Sequence, residues 1–256
     1  MTPPVTDFLA RVADDRRRRL ETMRLATPAH VLRARLVSRS GGRLERALRR
    51  PDPRAPLRLI AEMKRASPSR GMLRPDLDPV LMASLYDGGG ASAISIVTEP
   101  DHFHGELEWV DRVRPVTRLP LLLKDFVVDG YQLLDAAARG ADAVLLIAAL
   151  LGEVQLQRLV GEAKMLGLDP LVEVHTHEEL QMALRAGATL VGINNRDLRT
   201  LAVDPAVSLG LLPEVPAMVA AVAESGISTP ADITRLRATR CDAVLMGEVF
   251  MTSADP

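Results

Sequence analysis

The sequence predicts an α/β protein of the (β/α)8, or TIM, barrel class, with an N-terminal helical extension and a shortened last helix. Three observations carry this. The chain has 256 residues, the usual size of one such barrel. Eight strand-length apolar runs recur along it with helix-period segments between them. Glycine and proline punctuate the junctions where a barrel needs them. The whole chain, 1–256, reads as a single barrel domain, with residues 1–50 forming the extension and 57–250 the barrel.

The runs are Leu57–Met63, Ala93–Val97, Leu119–Leu123, Ala143–Ile147, Leu171–Val174, Leu190–Ile193, Ala217–Val222 and Ala243–Met246. Each is largely apolar on both faces, as parallel strands covered by helices require. Helical period appears over Val80–Tyr86, Tyr131–Ala138, Glu153–Leu166, Glu178–Ala186, Asp204–Leu212 and Ala231–Leu236. Gly140, Gly167 and Gly187 each fall just after a helix and before a strand, where a left-handed C-cap belongs. Thr229-Pro230 supplies a cap and a first-turn proline. Ahead of the barrel, Thr6–Met23 and Thr27–Leu48 read as two helices. The run from Asp14 to Arg19 mixes both charge signs and reads as a solvated helix face, not a basic binding patch.

Composition narrows the function. Charged residues make up 25% and nearly cancel, leaving a net charge of -1, so no long-range field draws in nucleic acid or anionic lipid. The longest apolar run, 143–151, is too short to span a bilayer. The N-terminus shows no apolar signal core, and the lone Cys241 suits a reducing compartment. These features together predict a cytoplasmic location. No G-x-G-x-x-G follows the first strand, which argues against a dinucleotide cofactor.

In such barrels the site lies at the C-terminal ends of the strands, and those ends are polar here. The first strand ends in Glu62 and Lys64, two apart and so facing one way. The third ends in Lys124-Asp125, and the fifth carries Glu173 between two valines. The sixth runs into Asn194-Asn195-Arg196-Asp197, the seventh into Glu224-Ser225-Gly226 and the eighth into Gly247-Glu248. One such residue is easily a salt bridge at the rim; six strands ending this way argue for chemistry. Two lysines among several carboxylates suit acid–base work, and a lysine crowded by other cations is expected to have its pKa pushed down. The loops after strands seven and eight are where barrels hold phosphate, and Gly226 and Gly247 would let backbone N–H groups approach the anion, with Ser67 adding a hydroxyl.

These segments resemble those of indole-3-glycerol phosphate synthases. The residues are Ala61-Glu62-Met63-Lys64-Arg65-Ala66-Ser67-Pro68-Ser69, Leu123-Lys124-Asp125-Phe126-Val127-Val128-Asp129, Leu171-Val172-Glu173-Val174-His175, Gly192-Ile193-Asn194-Asn195-Arg196-Asp197-Leu198, Val222-Ala223-Glu224-Ser225-Gly226-Ile227 and Val244-Leu245-Met246-Gly247-Glu248. They occur in order over about residues 57–250. The resemblance implies conversion of 1-(2-carboxyphenylamino)-1-deoxyribulose 5-phosphate to indole-3-glycerol phosphate, without cofactor or metal. It implies Lys124 as the general acid of ring closure and Lys64 as the holder of the substrate carboxylate and a proton donor in dehydration. Glu173 is then the base partner, Glu62 the group that orients Lys64, and Asn194 and Glu224 ligands of substrate hydroxyl or amino groups. Phe103, Leu145 and Arg196 are placed with the substrate, Phe103 packing on the anthranilate ring. Ser67, Ser225, Gly226, Gly247 and Glu248 are placed with the phosphate. A phosphorylated small molecule is the expected partner, and a monomer or weak homodimer the expected state.

Two features depart from the family pattern. Glu106 stands after the Phe-x-Gly element where a serine is usual, and the chain stops at Pro256, soon after Gly247. The second predicts an eighth strand with exposed apolar surface, prone to instability or self-association. Other residues read as structural. His102 and His104 lack further ligands for a metal, while His175 and His177 read as surface or hydrogen-bonded groups. Cys241 reads as packing, and Trp109 as packing a helix on the barrel. Three rival readings use the same residues: a Schiff-base aldolase on Lys64 or Lys124, a phosphoribosylanthranilate isomerase, and an altered paralogue that acts on a modified anthranilate derivative or only binds. The isomerase wants a cysteine at the end of the first strand, and none is there.

Overall fold

A computed structural model describes residues 8–52 and 54–256. Eight parallel strands close into a barrel: β1 (Arg58–Met63), β2 (Ala93–Val97), β3 (Leu121–Lys124), β4 (Ala143–Ile147), β5 (Asp169–Val174), β6 (Leu190–Asn194), β7 (Ala220–Glu224) and β8 (Ala243–Met246). Each neighbours its successor and β8 returns to β1, so no edge is left. Among the described residues, three helices precede the barrel: α1 (Phe8–Ala26), α2 (Ala29–Ala34) and α3 (Arg43–Leu48). Around it lie α4 (Pro79–Gly88), α5 (Glu108–Val113), α6 (Gly130–Arg139), α7 (Ala148–Met165), α8 (His177–Arg185), α9 (Ala206–Leu211), α10 (Pro230–Arg237) and α11 (Glu248–Thr252). Among the described residues, no helix is long and apolar enough to cross a membrane.

Strand alternation divides the core in two. Inward residues such as Ile60, Leu122, Leu171, Leu190 and Leu245 fill the barrel. Outward ones such as Ile94, Val144, Val172 and Ile193 pack under the helices. The extension closes both ends of the cylinder. Phe8, Leu9 and Val12 of α1 join the interior cluster, and so do Leu44 and Leu48 of α3. Each such side chain contributes about 1.5–3 kcal/mol relative to exposure.

Three buried aspartates at strand starts fasten the lower end. Asp169 accepts hydrogen bonds from the backbone N–H groups of Gly42, Leu44 and Glu45, which caps α3 from another part of the chain. Asp142 takes Arg43 at 2.6 Å and Arg114 at 2.8 Å. Asp242 accepts from the Arg50 N–H at 3.2 Å.

The expected helix over Thr27–Leu48 is interrupted. It breaks between Ala34 and Arg43, where Ser38, Ser40, Gly41 and Gly42 intervene and both glycines have positive φ. The start of the first expected helix, Thr6-Asp7, lies outside the described residues. A small hairpin, Ala66–Ser67 with Gly71–Met72, has no counterpart in the sequence reading, while α5 is the helix expected at Trp109. The glycine C-caps are as expected: Gly140, Gly167 and Gly187 all have positive φ. Thr229 caps α10 in a reciprocal capping box with Asp232. The last helix is five residues long, yet the outer face of β8 is not laid open. Val244 is 2% exposed, Met251 of α11 is 1% exposed, and Phe250 packs on Tyr86 with ring centroids 5.5 Å apart.

Candidate active site

Because side chains alternate along a strand, residues at the last inward position of each strand converge above the packed interior. There they line a cavity of about 460 Å³. Every residue that the sequence placed in the site lines it: Glu62, Lys64, Lys124, Glu173, Asn194, Glu224, Phe103, Leu145, Arg196, Ser67, Ser225, Gly226, Gly247 and Glu248. Three that fall beyond the apolar runs of the sequence are the last residues of strands: Lys124, Asn194 and Glu224.

Lys124 is the centre. Its Nζ lies 3.3 Å from Glu173 Oε2 and donates a tighter bond to Glu224 Oε2. Asn194 Nδ2 donates to the other oxygen of Glu173 at 3.0 Å. Register explains the fit. Glu173 pairs with Gly192 and Asn194 with Glu224, and a Cβ on Gly192 would run into Glu224 Oε1. The glycine is what gives Glu224 its place. That same Oε1 is buried and has no hydrogen-bond partner. The second pair stands alongside: Lys64 Nζ donates to Glu62 Oε1 at 2.7 Å. Gly247 packs on that glutamate, where a Cβ would come within 2.9 Å of Oε1.

The electrostatics correct one expectation. Lys124 is not pushed down. Burial works against its charge, but Glu224, Glu173 and Glu62 outweigh burial and hold the ammonium above the usual lysine value. The carboxylates divide. Burial alone would raise Glu62 and Glu173, yet Lys64 and Lys124 hold the first below its ordinary value, and Lys124, His175 and Asn194 do so for the second. Glu224 goes the other way. Burial, with the nearby charge of Glu173, pushes it up to about 7 against the pull of Lys124. Two carboxylates on one lysine thus take opposite characters, one a standing base and one a group that exchanges protons near neutrality.

The opposite wall is aromatic. Phe8, Phe103 and Phe126 all line the cavity, three of the chain's four phenylalanines. Phe126 sits with its ring centroid 6.3 Å from each of the other two. Glu99, 1% exposed, anchors the loop bearing Phe103 by accepting from the N–H groups of Asp101, His102 and Phe103. Gly105 is required because a Cβ there would strike the backbone of Val97 and Thr98. On the rim, Ser225 and Gly226 have φ of 63° and 69°, successive left-handed residues that curve the backbone around a concavity suited to an anion. Arg70, in the loop after β1, pairs with Glu248 at 2.7 Å, and Arg196 donates to Ser69 Oγ at 3.3 Å. These two contacts draw the first loop across the mouth.

Sequence reasoning missed Phe8, Phe126, Glu99 and Arg70 as parts of the site. The scarcity of aromatics, at 3%, is the signal that could have singled out the phenylalanines. Asp125, named from the sequence as a polar strand end but given no role, is 4% exposed, and its carboxylate takes Arg16 of α1 at 2.7 Å and Thr98 Oγ1 at 2.8 Å directly behind Lys124. Cys241 is packed away as expected, 0% exposed, and burial raises its thiol to about 12. Trp109 is 0% exposed and packs α5 inward, with the Arg65 guanidinium 4.8 Å over its ring.

Barrel and cluster together define the class: a (β/α)8 protein whose strand ends bring two lysines and three carboxylates into one cavity. The family model for indole-3-glycerol phosphate synthase matches residues 9–256. An indole-3-glycerol phosphate synthase of Azospirillum brasilense is 42% identical over 253 residues, covering 98% of this chain and 96% of that one. Another, from Dehalococcoides mccartyi, is 48% identical over 202 residues, 78% of each chain. A solved thiamine phosphate pyrophosphorylase from Pyrococcus furiosus superposes with a TM-score of 0.56 at 19% identity, covering 77% of this chain and 89% of that one; at that identity it speaks for the fold alone. The chain belongs to the indole-3-glycerol phosphate synthase family.

Proposed function

We propose that this chain is a carboxy-lyase of tryptophan biosynthesis. It converts 1-(2-carboxyphenylamino)-1-deoxyribulose 5-phosphate to indole-3-glycerol phosphate by ring closure, loss of carbon dioxide and loss of water. The observation that carries the reading is the Lys124 ammonium held between Glu173 and Glu224, facing the Phe103–Phe126 wall in one cavity. Ring closure needs a proton delivered to the ketose oxygen while an aromatic carbon attacks its carbonyl. An ammonium beside an aromatic slot meets that need.

In this reading the anthranilate ring lies against Phe103, Phe126 and Leu145. Lys64 and Arg196 hold its carboxylate, and the Ser225-Gly226 and Gly247 backbone receives the phosphate with Ser67 and Glu248 beside it. Lys124 protonates the ketose oxygen as the carbon–carbon bond forms. The bond to the carboxylate then breaks, its electrons restore the aromatic ring, and carbon dioxide departs. The new hydroxyl leaves as water with a proton from Lys64, while Glu173 takes the proton lost from the forming indole. Glu62 keeps Lys64 in place, and Asn194 and Glu224 hold the sugar hydroxyl and amino groups.

The test is the rise of indole fluorescence with this substrate. Wild-type protein should turn it over, and Lys124→Ala should lose at least about 100-fold in kcat, the usual contribution of a general acid. Turnover by Lys124→Ala close to the wild-type rate would overturn the assignment.

A further inference from the structure

His175 stands just past the end of β5, two residues beyond Glu173, and its ring comes back to that carboxylate. Its side chain is 14% exposed and lies between two carboxylates. Glu179, in the first turn of α8, accepts from the His175 backbone N–H at 2.7 Å and meets ring Nδ1 at 3.1 Å. An ionised carboxylate can only accept, so Nδ1 carries a hydrogen. The other nitrogen, Nε2, is buried without a hydrogen-bond partner and points at Glu173 Oε1, 3.6 Å away. In a neutral ring with its hydrogen on Nδ1, Nε2 would set a buried lone pair against a carboxylate oxygen. A second hydrogen on Nε2 turns that repulsion into attraction.

We propose that His175 is a positioning residue for the reaction: an imidazolium clamped between Glu179 and Glu173, it keeps Glu173 an ionised base at the moment Lys124 gives its proton away. The inference rests on the roles given above to Lys124 and Glu173. While Lys124 is charged it is the main cation facing Glu173. Once its proton has moved to the substrate, that cation is gone, and a buried carboxylate would be driven to take up a proton. His175 supplies the replacement charge from the side away from the substrate.

The surroundings support it from every element packed there. Glu173 lies on the same strand, Glu179 on α8 and Glu224 on β7, while Asp197 approaches from the loop after β6. Lys124 reaches Glu173 through its other oxygen. Burial alone would lower the imidazole, but Glu179, Glu173 and Glu224 outweigh it and raise it. With His175 charged, three cations (Lys64, Lys124, His175) face three inward carboxylates (Glu62, Glu173, Glu224).

Nitrogen-15 NMR of the full-length protein tests the charge without any substrate. The His175 ring should hold hydrogens on both nitrogens at pH 7 and titrate above the ordinary value of about 6.5, and Glu179→Gln should bring that titration down. In the fluorescence assay, His175→Gln should lower kcat about tenfold and move the acid limb of the kcat/KM profile up by about one pH unit, with KM nearly unchanged. Glu179→Gln should shift the limb the same way, and it carries the test if His175→Gln does not fold. A ring that is neutral at pH 7 in the wild type, or variants whose acid limb stays in place, would overturn the proposal. Absence of turnover by the wild type would instead refute the reaction assigned above, and the NMR result would still decide the charge.

Discussion

Arg16→Met is the substitution whose cost the structure sets most directly. The Arg16 guanidinium is 6% exposed and the Asp125 carboxylate 2%, and they meet at 2.7 Å. Removing one partner of such a pair strands the other charge, at about 3–5 kcal/mol. Asp125 retains Thr98 Oγ1 at 2.8 Å and the Phe126 N–H at 2.7 Å, so the loss belongs near the lower end, about 3 kcal/mol. Methionine keeps the apolar stem in contact, and the measurement then reports the charge rather than a cavity. Asp125→Asn leaves Arg16 buried and unpaired and should cost a similar amount. The double substitution should cost clearly less than the two losses added. Urea unfolding followed by circular dichroism reads this as a shift in midpoint at constant slope. A loss below about 1 kcal/mol for Arg16→Met, or simple additivity in the pair, would show that the two groups are solvated and refute the reasoning.

Gly192→Ala should displace Glu224, because the new methyl lands on its Oε1. Steady-state kinetics should show a rise in KM of at least about tenfold, and an unchanged KM would contradict the packing. Asp169→Ala leaves three N–H groups at the start of α3 without their acceptor; thermal unfolding should register about 2 kcal/mol lost, and a melting temperature equal to wild type would disprove the cap. Glu224 makes a pH prediction. The fold favours its neutral form, so that contribution is complete below the unfolded value near 4.5 and vanishes as pH rises through about 7. The melting temperature of Glu224→Gln should therefore gain on wild type between about pH 5 and pH 8; a constant gap would count against the raised carboxyl.

Strand identity was legible because the signal is local: a parallel strand buried on both faces is an uninterrupted apolar run, and glycines 140, 167 and 187 sit where chain direction reverses. The polar strand ends were legible for the same reason, since a Glu173 between valines has few uses but chemistry. What escaped was set by distance in the chain. The lysine expectation failed because no spacing rule shows that Glu224, a hundred residues away, closes on Lys124 while Lys64 is occupied by Glu62. Phe8 looked like an ordinary helix residue, and its place at the mouth depends on the path of the whole extension. The break before α3 was written in Ser38, Ser40, Gly41 and Gly42, but the helical pattern on either side hid it. The recurring aspartate before a strand, at 142, 169 and 242, is a repeat that one sequence displays openly, and its partners appear only once the first fifty residues are wrapped around the base.

That wrapping has a consequence for biosynthesis. The segment made before the barrel grips partners made much later: Arg16 waits for Asp125, Leu44 for Asp169 and Arg50 for Asp242. During translation its amphipathic stretches have nowhere to dock, and only the finished cylinder offers both openings. The extension can complete these contacts only after the last of the partners, Asp242, has been made. Any delay in completing the eighth strand leaves its apolar side chains, and the base they should cover, facing water together.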